Sequence, residues 1–193
     1  GIYGPYPFIQ FFRGISYIGP WRDHPQRVYA YTGEQSGMVG FRGENTPGIL
    51  VRFMDRRSER ARDFWKYLES WFSRSGLAVK LKVASLTPRH YELRIKKPNS
   101  TTYQNIADSG FGNSQVLPLA VEVFLNRKNM LHIFEQPELH LHPKAQCEIG
   151  ELLLHGKKRD KQFIIETHSL DLIVRLRRYI ATGKLQQSDL KVY

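Results

Sequence analysis

The sequence predicts an α/β fold built on parallel strands, and three observations carry that expectation. Two short apolar runs, MLHIF at 130–134 and QFIIE at 162–166, each end abruptly in polar residues. Each is followed by a stretch with apolar residues three and four apart, as helices require. A third such stretch, around VLPLAVEVF at 116–124, precedes the first run. Strands alternating with helices imply a parallel sheet with right-handed crossovers. In such sheets ligands bind outside the carboxyl ends of the strands. Glu135 and Gln136 sit at one such end and Thr167, His168 and Ser169 at the other.

Taken in order, residues 1–8 carry no initiator Met and no clear period, and residues 190–193 read as a strand that stops short. A fragment of a longer protein is therefore expected. Residues 15–31 are aromatic and punctuated by turns at Gly19-Pro20 and His24-Pro25. The Gly-rich stretch 33–48 reads as a loop. From Ser58, the spacing of Ala61, Phe64, Trp65, Leu68, Trp71 and Phe72 predicts a helix closed by Gly76. The aromatic stripe reads as core.

Residues 78–83 and 91–95 alternate with period two around Thr87-Pro88-Arg89, predicting an antiparallel hairpin with one buried and one basic face. A polar loop is expected over 108–115, followed by a helix with Pro118 in its first turn, where a missing N–H is harmless. Pro143 then opens a helix to about Leu154, and a last helix carries Leu172, Ile173, Leu176 and Ile180. The expected division is an accessory region over 1–100 and a core lobe over 101–193.

Composition narrows the classes. The 193 residues are 41% hydrophobic and 24% charged, a globular balance that excludes wholesale disorder. One cysteine, Cys147, allows no internal disulfide, and no run approaches the roughly 20 apolar residues of a membrane span. A cytoplasmic protein without a membrane partner is expected. The net charge of +11 favours polyanionic partners, DNA or RNA above all.

The chemistry concentrates in three loops. Glu135, at the end of its strand, is placed to hold Mg²⁺ beside a phosphate. Gly110 and Gly112 let the backbone approach an anion at a helix start, and Ser114 adds a hydroxyl. Glu138, His140 and His142 invite a zinc reading, but their spacing matches no familiar zinc motif. Glu135 and Glu138 could instead cap the helix after Pro143, and Cys147 is most simply a helix residue. Arg22 and Arg27 either contact phosphate or brace their loop.

SGFGNSQVLPL, FEQPELHLHPKAQ and IIETHS resemble the signature loop, Walker B strand with D-loop, and switch histidine of ABC-type ATPases. The closer resemblance is to SMC-like and overcoming-lysogenization-defect-like AAA ATPases, mainly over residues 103–182, with YIGPWRDHPQR at 17–27 also similar. It implies the C-terminal lobe of a P-loop NTPase acting on ATP and Mg²⁺. Glu135 would then hold the metal, and His168 would sense the γ-phosphate. Gly110, Gly112, Ser114 and Gln115 would meet nucleotide held by a second protomer or partner subunit. DNA repair or phage defence are roles the resemblance suggests.

Two departures qualify it. Gln136 stands where these ATPases place the catalytic Glu; Gln can orient water but cannot accept its proton at neutral pH. Glu138 is the nearest alternative base. Second, GxxxxGK[ST] occurs nowhere in the chain, so the phosphate cradle is expected upstream of Gly1 or on a partner, and hydrolysis is not expected from this chain alone. The other readings are an ATP-dependent dimerisation switch that does not hydrolyse, and a nucleic-acid-binding domain on a degenerate ATPase fold.

Overall fold

The computed structural model describes residues 12, 14–31, 33, 36–125 and 130–193. In chain order the strands are β1 (Ile15–Ile18), β2 (Tyr29–Ala30), β3 (Lys80–Thr87), β4 (His90–Lys96), β5 (Gln104–Asn105), β6 (Leu131–Glu135) and β7 (Gln162–Glu166). The helices are α1 (Thr46–Arg52), α2 (Glu59–Ser75), α3 (Phe111–Phe124), α4 (Pro143–Lys157) and α5 (Leu170–Ala181). The expected α/β class with parallel strands is what the chain adopts.

The parallel sheet has the order β1-β6-β7, and an antiparallel sheet has the order β2-β4-β3 with β5 on β4. β1, from the first hundred residues, pairs with β6, and one core cluster runs from Trp65 and Ile95 through Val116 to Leu172. Alternation gives the parallel sheet two unlike faces. Ile18, His132 and Phe134 are buried, while Ile164 on the opposite face is 55% exposed. Tyr17, Ile133 and Ile164 are register partners on that more open face, and so are Glu135 and Glu166.

The helix expected from Ser58 forms because both ends are capped. The Ser58 side chain accepts from the Ala61 amide, Gly76 takes φ +78° at the C-cap, and Phe64, Trp65, Leu68, Trp71 and Phe72 are buried. Pro143 opens α4 behind the cap residue His142. Ser169 caps α5 by accepting from the Leu172 amide. The hairpin turns at Pro88-Arg89, with Leu81, Leu93 and Ile95 buried.

Three expectations are corrected. The polar loop does not extend to Gln115: α3 begins at Phe111, which puts Pro118 in the helix interior rather than its first turn. Every residue from Asn113 to Phe124 is buried, so burial on all sides outweighs the hydrogen bond Pro118 forfeits. The supposed strand at 190–193 is irregular, with Val192 and Tyr193 exposed; among the described residues no strand pairs with it, so its backbone joins no ladder there. The Gly-rich loop ends early, since Thr46 and Pro47 open α1, with Thr46, Ile49 and Leu50 buried. The expectation for residues 1–8 lies outside the described residues.

Candidate functional site

Four segments meet at the carboxyl end of the parallel sheet: the stretch after β1, the β6–α4 loop, the β7–α5 loop and the first turn of α3. Glu135 closes β6, half-buried, and its Oε1 accepts from the Tyr17 hydroxyl at 2.7 Å. That bond, reinforced by burial and by the charges of Glu135 and Glu166, raises the Tyr17 pKa. Oε2 of Glu135 carries no hydrogen bond among the described residues. Gln136 follows in the left-handed region at φ +44°, its amide still donating to Glu166 O at 2.9 Å. A side chain held there is strained, and such strain is retained where a loop must present a group at a set angle.

Arg22 holds that geometry. It is 4% exposed, and Nη2 donates to the carbonyls of Glu135 and Gln136 at 2.7 and 3.1 Å. Burial lowers its pKa to about 10, opposed by the charge of Glu138, so it stays a cation at neutral pH. Gln115 is buried in α3 and donates from Nε2 to the Arg22 carbonyl at 3.5 Å. Arg22 therefore braces the loop through Nη2, while its buried Nε and Nη1 carry no hydrogen bond among the described residues, and Arg27 forms a forked ion pair with Asp108 at the surface.

Glu138 faces inward. Its Oε1 accepts from the His168 amide at 2.7 Å, and its buried Oε2 has no hydrogen bond among the described residues. It thereby ties the β6–α4 loop to the β7–α5 loop. The His168 ring is exposed, with Nε2 3.2 Å from Glu166 Oε1. Gln146 makes a second tie, donating to Leu141 O and accepting from Ser169 Oγ at 2.6 Å. Neither Glu135 nor Glu138 caps α4; the His142 side chain does. Cys147 lies within α4.

The first turn of α3 lies against the β6–α4 loop. A Cβ on Gly112 would meet His140 O at 2.9 Å, and the half-exposed Phe111 ring lies 5.8 Å from the His140 ring. Gly110 has φ +90° and no side-chain cap, which leaves the first-turn amides open to an anion. Ser114 is buried and its Oγ donates to Phe111 O at 3.0 Å. Sequence reasoning missed Tyr17 and Glu166. Their signal, alternation placing both on the Glu135 face of the sheet, exists only once the strand register is known.

The residues fit Mg²⁺ better than a fully protein-held ion. No three His, Cys, Asp or Glu converge to hold a metal among the described residues. Mg²⁺ needs only one or two carboxylates, completing its shell with water and phosphate, and Glu135 presents one open oxygen.

Residues 28–175 match the sequence profile of the family described as "AAA domain, putative AbiEii toxin, Type IV TA system". The chain belongs to this AAA family. Over 76 residues the AAA domain is 26% identical to the energy-coupling factor transporter ATP-binding protein EcfA2 of Mycoplasmoides gallisepticum, covering 39% of this chain and 24% of that protein. It also resembles the Smc head domain of Pyrococcus furiosus bound to the C-terminal domain of ScpA, at 15% identity and TM-score 0.48, covering 59% of this chain and 30% of that one. For the SMC head domain of Thermotoga maritima the identity is 17% and the TM-score 0.44, covering 67% and 44%. The AAA domain thus spans about a quarter of the curated relative. No described helix is long and apolar enough to cross a membrane.

Proposed function

We propose that this AAA domain is the Walker B and switch half of an ATP-Mg²⁺ site, completed by a phosphate cradle elsewhere and by a second protomer. The observation that carries the reading is the single junction at which Glu135, Glu138, His168 and the first turn of α3 meet, tied together by Arg22 and Gln146. Bound Mg²⁺ would neutralise charge on the terminal phosphates, with Glu135 as its protein ligand. His168, exposed beside Glu166 and carried on a loop anchored by Glu138, would turn from that carboxylate to a γ-phosphate. Gly110 and Gly112, with Ser114 and Gln115 behind them, would present the α3 amide end to nucleotide held by the partner. Closure of the dimer would then act on DNA, RNA or an associated effector, in a soluble cytoplasmic setting.

The test uses the full-length protein. Binding of a labelled ATP analogue in Mg²⁺ should weaken in Glu135→Gln, and turnover should vanish in both Glu135→Gln and His168→Ala. Turnover surviving both substitutions would remove the assignment.

A second reading, the non-hydrolysing switch, is supported by Gln136, a residue that cannot accept a proton from water at neutral pH and that has a left-handed backbone at φ +44° next to Glu135. That reading expects ATP-dependent dimerisation by light scattering with negligible phosphate release, and a rise in release with Gln136→Glu.

A further inference from the structure

The basic face of the β3–β4 hairpin is arranged in a way that costs folding stability. Register places Lys80 opposite Lys96 and Lys82 opposite Arg94, and alternation puts all four on one face. Like charges directly opposite each other destabilise a sheet, and two carboxylates offset part of that cost, Glu92 paired with Arg94 and Glu69 with Lys80. Beside it runs a groove of about 560 Å³ between α2 and β3, lined by Arg56, Arg62, Lys66, Glu69 and Lys80 among others. Glu69 is nine-tenths buried, and its two oxygens hold Arg56 and Lys80 at 3.0 Å each. The Arg56 guanidinium also lies 4.6 Å from the centre of the Trp65 ring. One buried carboxylate thus presets two cations at the rim of the groove, and Lys80 joins the groove to the hairpin face. At the far side Tyr103, 37% exposed, lies under Lys82 Nζ at 4.4 Å.

We propose that this strip, from Arg62 and Lys66 through Lys80 to Lys82, Arg94 and Lys96, binds the phosphate backbone of nucleic acid. A row of cations repeating every second strand residue, roughly 6.6–6.8 Å apart, matches a ligand whose negative charge repeats along its length. Arginine forks suit phosphate oxygens. An exposed tyrosine among the cations provides a surface on which an unpaired base stacks, which an acidic polypeptide would not use. The inference rests on the reading above that nucleic acid is the polymer acted on, but not on ATP hydrolysis.

The test is fluorescence anisotropy of the full-length protein with labelled single-stranded and duplex DNA, without nucleotide, over a salt series. Arg62→Gln with Lys66→Gln on the exposed side of α2, and Lys82→Gln with Lys96→Gln on the hairpin, should each weaken binding about tenfold or more. Each pair should also lower the salt slope by roughly two, at about 0.9 per lost phosphate contact on duplex. Tyr103→Ala should weaken the single strand by about fivefold or more and the duplex less. Arg177→Gln with Arg178→Gln on α5 should bind as the parent does. Should the hairpin pair fail to fold by circular dichroism, the α2 pair decides alone. Parent-like binding by the α2 and hairpin pairs overturns the proposal, as does an equal loss in the α5 pair. Equally tight binding of polyglutamate, abolished by the same variants, also overturns it and identifies an acidic protein partner. ATP-analogue binding measured on the same variants keeps this outcome separate from the nucleotide site.

Discussion

The Tyr17 hydroxyl donates to Oε1 of Glu135 at 2.7 Å, joining β1 to β6 across the face that carries the site. The bond occupies Oε1 and leaves Oε2 as the oxygen with no hydrogen bond among the described residues. Tyr17→Phe should cost about 1 kcal/mol of stability in urea denaturation. Because outer partners orient ligating carboxylates, it should also weaken Mg²⁺-dependent nucleotide binding on the order of tenfold, by calorimetry on the full-length protein.

Arg22→Met removes a buried donor that serves two carbonyls. It leaves Glu135 O and Gln136 O without their Arg22 partner and takes a cation from beside Glu138. A loss of roughly 2–3 kcal/mol is expected, measured as the shift of the urea midpoint at constant slope.

Gly112→Ala and Gly110→Ala should both destabilise, for different reasons. At Gly112 the new Cβ meets His140 O at 2.9 Å, so the first turn of α3 must back away from the β6–α4 loop; about 1–3 kcal/mol is expected. At Gly110 nothing lies within 4 Å, and only the backbone, with φ +90° and ψ 153°, is penalised, at about 1–3 kcal/mol. Amide exchange separates them: the Gly112 variant should loosen residues 136–142, and the Gly110 variant should not.

Lys161 is 3% exposed, and its Nζ donates to Glu122 O, Val123 O and Leu125 O at 3.1, 2.6 and 2.9 Å. A cation at a helix C-terminus that also satisfies its last carbonyls is doubly favourable. Lys161→Met should lower stability by roughly 2–3 kcal/mol, read from the thermal midpoint together with faster amide exchange at the end of α3.

His155 sets an acid limit. Burial, reinforced by Arg159, Lys161, Lys158 and Arg74, lowers its pKa from 6.5 to about 4. Its ring sits 4.7 Å from that of Tyr67 and 4.9 Å from that of Phe124. The folded pKa is below the unfolded one, so the unfolded chain takes up the proton first. This contribution is complete above about pH 6.5 and is lost as the pH falls through about 4. His155→Gln should flatten the fall in melting temperature between these two values; an unchanged slope would assign the acid sensitivity to other groups.

Much of the scaffold was legible because its signals are local. The Ser58 cap, the apolar spacing of α2 and the Gly76 stop lie within one stretch of chain. So do the alternation of β3 and β4 and the break from Phe134 to Glu135. The short strands β2 and β5, two residues each, show no period. The start of α3 was hidden because FGNSQ reads as polar loop, and only burial against the β6–α4 loop and the core makes it helical.

By itself the sequence determined the α/β alternation and the strand ends at Glu135 and Glu166, because period, caps and turn residues act over a few neighbours. Tertiary structure alone decided that Tyr17 meets Glu135 across 118 positions and that Arg22 clamps Gln136 across 114. It also turned Glu138 inward to hold the His168 loop. These contacts are set by strand register and by which buried donor finds which carbonyl, and no short-range pattern encodes either.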